Sequence, residues 1–156
     1  MLKNDLPFFY KKIKENSHSL TLVIESDVFI EGLVNAESCC GRLIDYLFDE
    51  RFDIAVDDRI YLDYLDKLNK LGLEKKSIDC LLKFLKEKGK FVTAEKIKIA
   101  ESLKLDGCRF LKFIEVGKSS KAKAVVILKH HAHFDAGKLN LFAALMTPEE
   151  VFEKLL

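Results

Sequence analysis

An α/β domain built on a mostly parallel sheet is the fold this sequence predicts, and three observations carry it. Short apolar runs alternate with segments of helical period, in the rhythm strand-helix-strand-helix-helix. The run Ala124–Leu128 has no polar alternation, as expected of a strand covered on both faces. The run Leu22-Val23-Ile24 stops abruptly at Glu25-Ser26-Asp27. It delivers two acids to the carboxyl end of a strand, where open α/β sheets bind their ligands. Burying charge there without a partner is costly, so a cation is the natural complement.

The elements follow in order. Residues 1–19 read as an N-terminal extension, with Pro7 at the start of a short helix and Phe8, Phe9 and Ile13 near one face. The domain proper spans 20–156. Leu20–Ser26 is the first strand, followed by a short helix at Val28–Leu33 and a loop at Asn35–Ser38. Gly41–Asp49 is a helix and Phe52–Val56 a second strand. Asp57 or Asp58 caps the next helix, whose Ile60, Tyr64, Leu68 and Leu71 keep the 3.6-residue period and which Gly72 ends. Ser77 opens another helix, with Ile78, Leu81, Leu82 and Leu85 as its buried stripe and Gly89 at its end.

Lys90–Leu105 fits either a short strand near Phe91–Val92 with a helix after it, or one helix from Thr93. Asp106 is placed to cap a helix running through Phe110, Leu111 and Ile114 to Gly117. Lys118–Lys123 reads as a solvated turn before the strand Ala124–Leu128, and Leu139–Leu145 as a last short strand. Thr147-Pro148-Glu149-Glu150 is a helix start, with an N-cap, proline at the first helical position and a closing glutamate.

Composition sets the bounds. The 156 residues are 49% apolar, which suits one domain with a real core. Lys and Arg number 26 against 25 Asp and Glu, a net charge of +1 that gives no global argument for nucleic acid. No apolar run approaches the ~18 residues of a membrane span. Cys39, Cys40, Cys80 and Cys108 lack CxxC spacing, so reduced thiols and a cytoplasmic location are expected.

The order and local strings of the chain resemble the PIN domain family, in particular the toxin components of toxin–antitoxin pairs. Glu25-Ser26-Asp27-Val28 fills the slot of the family's acid-Thr/Ser-Asn/Ser/Asp-Val string. Gly41-Arg42-Leu43-Ile44 matches its Gly/Ala-Arg-Leu-Leu helix, and Asp63-Tyr64 its second acid. Asp106, Phe110 and Leu111 match the third acid and its Phe-Leu pair, and Met146–Phe152 the C-terminal Thr-Pro-Glu-Glu helix. The likeness runs from Leu20 to Leu156.

The resemblance implies a metal-dependent ribonuclease. Glu25, Asp63 and Asp106 would be the catalytic acids. With Asp27 they would hold Mg²⁺ or Mn²⁺, hard cations that prefer oxygen ligands and activate a bound water. Ser26, Lys129, His130 and His131 would face the RNA. An antitoxin protein and a homodimer are the implied protein partners. Tyr61, Leu62 and Leu65, beside the core stripe of the region Asp58–Gly89, suit such a patch.

Departures from the family pattern define the alternative. The first acid is Glu25 rather than Asp, and Asp27 stands where Asn or Ser is usual. After Ala124–Leu128 the family has a Thr/Ser-Gly-Asp string, but this chain reads Lys129-His130, putting a basic group at the fourth corner. A catalytically degenerate domain serving RNA binding or protein assembly is therefore the second reading. Carboxylates on the charged helix with Asp57, Asp58, Asp63 and Asp66 also commonly face water, and Asp106 also fits an ordinary N-cap. A zinc or nickel site in Lys129-His130-His131-Ala132-His133, with Cys108, is disfavoured because neighbouring histidines on a strand end point to opposite sides.

Overall fold

The computed structural model describes residues 20–97, 110–129 and 143–156. Among them a five-stranded, all-parallel sheet is flanked by six helices. The elements are β1 (Thr21–Ile24), α1 (Ser26–Val34), α2 (Cys39–Phe48), β2 (Asp53–Val56), α3 (Asp58–Lys70) and α4 (Lys75–Lys88). They continue with β3 (Lys90–Phe91), α5 (Leu111–Ser120), β4 (Ala124–Val126), β5 (Leu145–Met146) and α6 (Pro148–Lys154). The α/β class expected from the sequence is the class observed.

The strand order is β3-β2-β1-β4-β5. β1 is central, with Leu22 in register with Ile54 of β2 on one side and Ala124 of β4 on the other. Every residue of β1 and β4 is buried, which is why both read as unbroken apolar runs. The chain winds outward from β1 through β2 to β3, then returns to β4 and β5 on the opposite side. The order therefore reverses between β1 and β4, the position beyond whose carboxyl ends open α/β sheets bind their ligands.

Packing fixes the helices against this sheet. On α3, Ile60, Tyr64 and Leu68 repeat every fourth residue and are fully buried, so the helix has one core face. The Tyr64 ring stacks on Phe29 of α1, with centroids 4.5 Å apart and planes 6° from parallel. α1 and α2 approach closely at Gly32, where a Cβ would lie 2.5 Å from Ile44 Cγ1 and 2.7 Å from the Cys40 carbonyl oxygen. Gly72, at φ 69°, lies just past the end of α3 in a conformation that only glycine adopts without strain. The expected capping box is present at Thr147 and Glu150.

Several boundaries differ from expectation. Ser26 belongs to a helix, not to the first strand, because the Glu25 side chain accepts the Asp27 N–H and starts the helix one residue after β1. α4 begins at Lys75 rather than Ser77. Lys118–Ser120 extend α5, and the turn comes at Lys121, whose φ of 57° is left-handed. The chain enters β3 at Lys90, and residues 92–97 are irregular. The expected helix at Pro7, the Asp106 cap and most of the Leu139–Leu145 strand lie outside the described residues.

Candidate functional site

The carboxyl end of β1 builds the site. The Glu25 N–H donates to the Val126 carbonyl oxygen at 2.9 Å, tying the strand end to β4 at the reversal of strand order. The Glu25 side chain is 2% exposed and caps α1 through the Asp27 N–H at 3.2 Å. A carboxylate there also meets the partial positive charge of the helix N-terminus. Ser26, fully buried, donates its hydroxyl to Asp63 on α3. Two acidic segments distant in sequence thus meet through one hydrogen bond.

Lysines close the arrangement. Lys112 of α5 places Nζ 3.3 Å from Asp63 Oδ1. Lys67, one turn along α3, lies 3.8 Å from Asp63 Oδ2 and 3.2 Å from Asp27 Oδ1. Burial pushes the Asp63 carboxyl upward, but the Ser26 hydroxyl and the Lys112 and Lys67 ammoniums outweigh it and hold its pKa below the ordinary value. Beneath them, Tyr64 donates its hydroxyl to the Ile24 carbonyl oxygen. Its pKa stands well above the ordinary phenol value, first through burial and then through Glu25 and Asp63.

A second polar cluster lines the same edge beyond β2. Asp57 caps α3 through the Ile60 N–H at 2.9 Å and pairs with Arg59 at 2.7 Å. Arg59 also reaches Glu115 of α5 at 2.8 Å. The other Glu115 oxygen accepts the Ile97 N–H at 2.8 Å, and Ser119 accepts the Glu95 N–H at 3.1 Å. Together they bind the irregular segment after β3 onto α5.

The sequence expectations divide accordingly. Ser26, the residue after Glu25, meets Asp63 across the carboxyl edge of the sheet. Asp27 lies in the first turn of α1, and Lys67 bridges it to Asp63. Lys129 is exposed beyond β4. Asp106, His130 and His131 lie outside the described residues. Lys67, Lys112, Tyr64, Arg59 and Glu115 were not anticipated. Lys67 was findable, being four residues after Asp63 on one helix face. Lys112 comes from a distant segment and left no such signal. Cys39 and Cys40 are not poised thiolates: burial and then Glu149 raise both, Cys40 to about 11.

Of the acids the family resemblance assigns to a metal, Glu25, Asp27 and Asp63 lie among the described residues. Carboxylate and hydroxyl oxygens are suitable hard donors. Yet both Asp63 oxygens and one of Asp27 already face ammonium groups. Among the described residues no three His, Cys, Asp or Glu side chains are grouped to hold a metal ion. No helix there is long and apolar enough to cross a membrane. No family model, curated protein or solved structure matches the chain.

Proposed function

We propose that this is a PIN-like domain in which lysine ammoniums have replaced the divalent cation, and that it serves protein assembly rather than RNA hydrolysis. The observation behind this reading is the double engagement of Asp63 by Lys112 and Lys67. Cations supplied by the protein relieve the repulsion among the acids, which is the work a bound metal would do.

RNA binding at this edge is the weaker form of the same reading. Lys67 and Lys112 are already paired with the carboxylates of Asp27 and Asp63, and the Glu25 carboxylate caps α1 close by in sequence. A site of that balance offers a phosphate backbone no net attraction. Assembly draws separate support from large apolar side chains left in solvent, among them Val34, Phe48, Leu71 and Leu73.

A metal-dependent, toxin-like ribonuclease is the second reading. The specific observation in its favour is that Ser26, which follows the first acid of the family pattern, donates to the second, Asp63, at the reversal of strand order. Incubation of the full chain with single-stranded RNA and Mg²⁺ or Mn²⁺ separates the two. The assembly reading expects no cleavage above that of an Asp63→Asn control. Metal-dependent cleavage abolished by Asp63→Asn would establish the ribonuclease.

A further inference from the structure

An apolar groove lies on the helices, at the other end of the sheet from the acids. α1 and α3 both start at the carboxyl edge of the sheet and run back along it, so their last turns reach the amino edge. Leu33 lies in the last turn of α1, Leu68 nears the end of α3, and Phe48 ends α2 just before β2. With Leu73, Leu81 and Phe84 they line an open groove of about 580 Å³. Phe48 is 41% and Leu73 40% exposed, so among the described residues the groove presents large apolar side chains.

The groove has a charged side. Lys76 and Cys80 line it and also line an adjoining depression with Lys75, Asp79 and Lys83. That shelf carries three ammoniums against the one carboxylate of Asp79, with Glu87 3.9 Å from Lys83. Its sign selects among occupants. A two-fold contact centred on this shelf would bring its lysines together. Residues 1–19 carry Lys3, Lys11, Lys12 and Lys14 against Asp5 and Glu15, the wrong sign for the shelf.

We infer that this groove docks an amphipathic helix of a partner protein, with its apolar stripe on Phe48, Leu73 and Phe84 and acidic residues against Lys75, Lys76 and Lys83. This is helix-in-groove recognition, in which apolar anchors supply affinity and flanking charge supplies selectivity. The inference rests on the assembly reading and names the partner's chemistry.

The test uses the full chain and two labelled synthetic helices of about 15 residues, one of leucine and glutamate, one of leucine and lysine, with the same apolar stripe. Fluorescence anisotropy should show the glutamate peptide binding at least about tenfold tighter, with affinity falling as salt rises. Leu73→Glu should abolish binding, and Lys76→Glu with Lys83→Glu should reverse the preference. Both sets of changes lie at solvent-exposed or half-exposed positions. The glutamate peptide should also slow iodoacetamide alkylation of Cys80 in the unmodified chain, a readout that needs no variant.

Binding of neither peptide, or equal binding of both, overturns the proposal. So does a dimer that Leu73→Glu dissociates, since a second copy then fills the groove. Cys80 already shielded in the isolated monomer, and unshielded by Leu73→Glu, would assign the groove to this chain's own residues. RNA cleavage measured on the same preparation keeps the functional reading separate: cleavage defeats that reading alone, and failed peptide binding defeats the groove alone.

Discussion

Lys112 of α5 holds its ammonium 3.3 Å from the carboxylate of Asp63 on α3, joining two helices at the carboxyl edge of the sheet. Both side chains are largely shielded, 23% and 21% exposed, so water screens the pair only in part. Lys112→Ala should destabilise the fold by about 1 kcal/mol. It should also raise the Asp63 pKa. Carbon-detected titration of the Asp63 carboxyl, beside a urea unfolding curve, checks both effects.

Asp63 should make stability depend on pH. Its folded pKa is depressed, so its contribution is complete above the unfolded value of about 4 and is lost as pH falls through the folded value. The stability gap between the unmodified chain and Asp63→Asn should be constant from about pH 5 to pH 8 and shrink below about pH 4. Unfolding curves across that range measure it.

Ser26→Ala removes the hydroxyl that links the two acidic segments. A hydrogen bond to a charged group contributes about 1.5–3 kcal/mol, and the lysines left on Asp63 bring the expected loss to the lower end. Ser26→Thr keeps the donor, but its added methyl must fit a fully buried position, so it should restore only part of the loss. Urea midpoints of the two variants give the comparison.

Glu115 is 2% exposed and holds both Arg59 and the Ile97 N–H. Glu115→Ala should cost about 1–3 kcal/mol, because the Ile97 N–H loses its acceptor while the half-exposed Arg59 keeps Asp57. Glu115→Gln should cost less, keeping one carbonyl acceptor. Faster amide exchange at Ile97 in the glutamine variant would show that this carboxylate anchors the segment after β3.

Much of the fold was legible in the sequence because it rests on local signals. The unbroken runs of β1 and β4, the period of Ile60, Tyr64 and Leu68, and the Thr147 capping box each act within a few residues. The misread boundaries fall where a side chain competes with the strand or turn pattern. Glu25 ends β1 early by capping α1, and α5 runs on to Ser120 despite the polar run there. Glu25 and Asp27 were legible as an abrupt change after an apolar run, whereas Asp63 was singled out only by the family resemblance. Their partners were less so: Lys67 sits one turn from Asp63, but Lys112 and Glu115 reach their partners only once α5 lies across the sheet.

Calorimetric titration of the full chain with Mn²⁺, beside the Lys67→Ala/Lys112→Ala double variant, tests most directly whether lysines have taken the cation's place. The unmodified chain should give no saturable binding in the range where the double variant binds. The double variant should gain at least about tenfold in affinity, since two ammoniums within about 4 Å of Asp63 no longer oppose the incoming charge. Adding Asp63→Asn should abolish that gain. Tight Mn²⁺ binding by the unmodified chain, unchanged when both lysines are removed, would contradict the account.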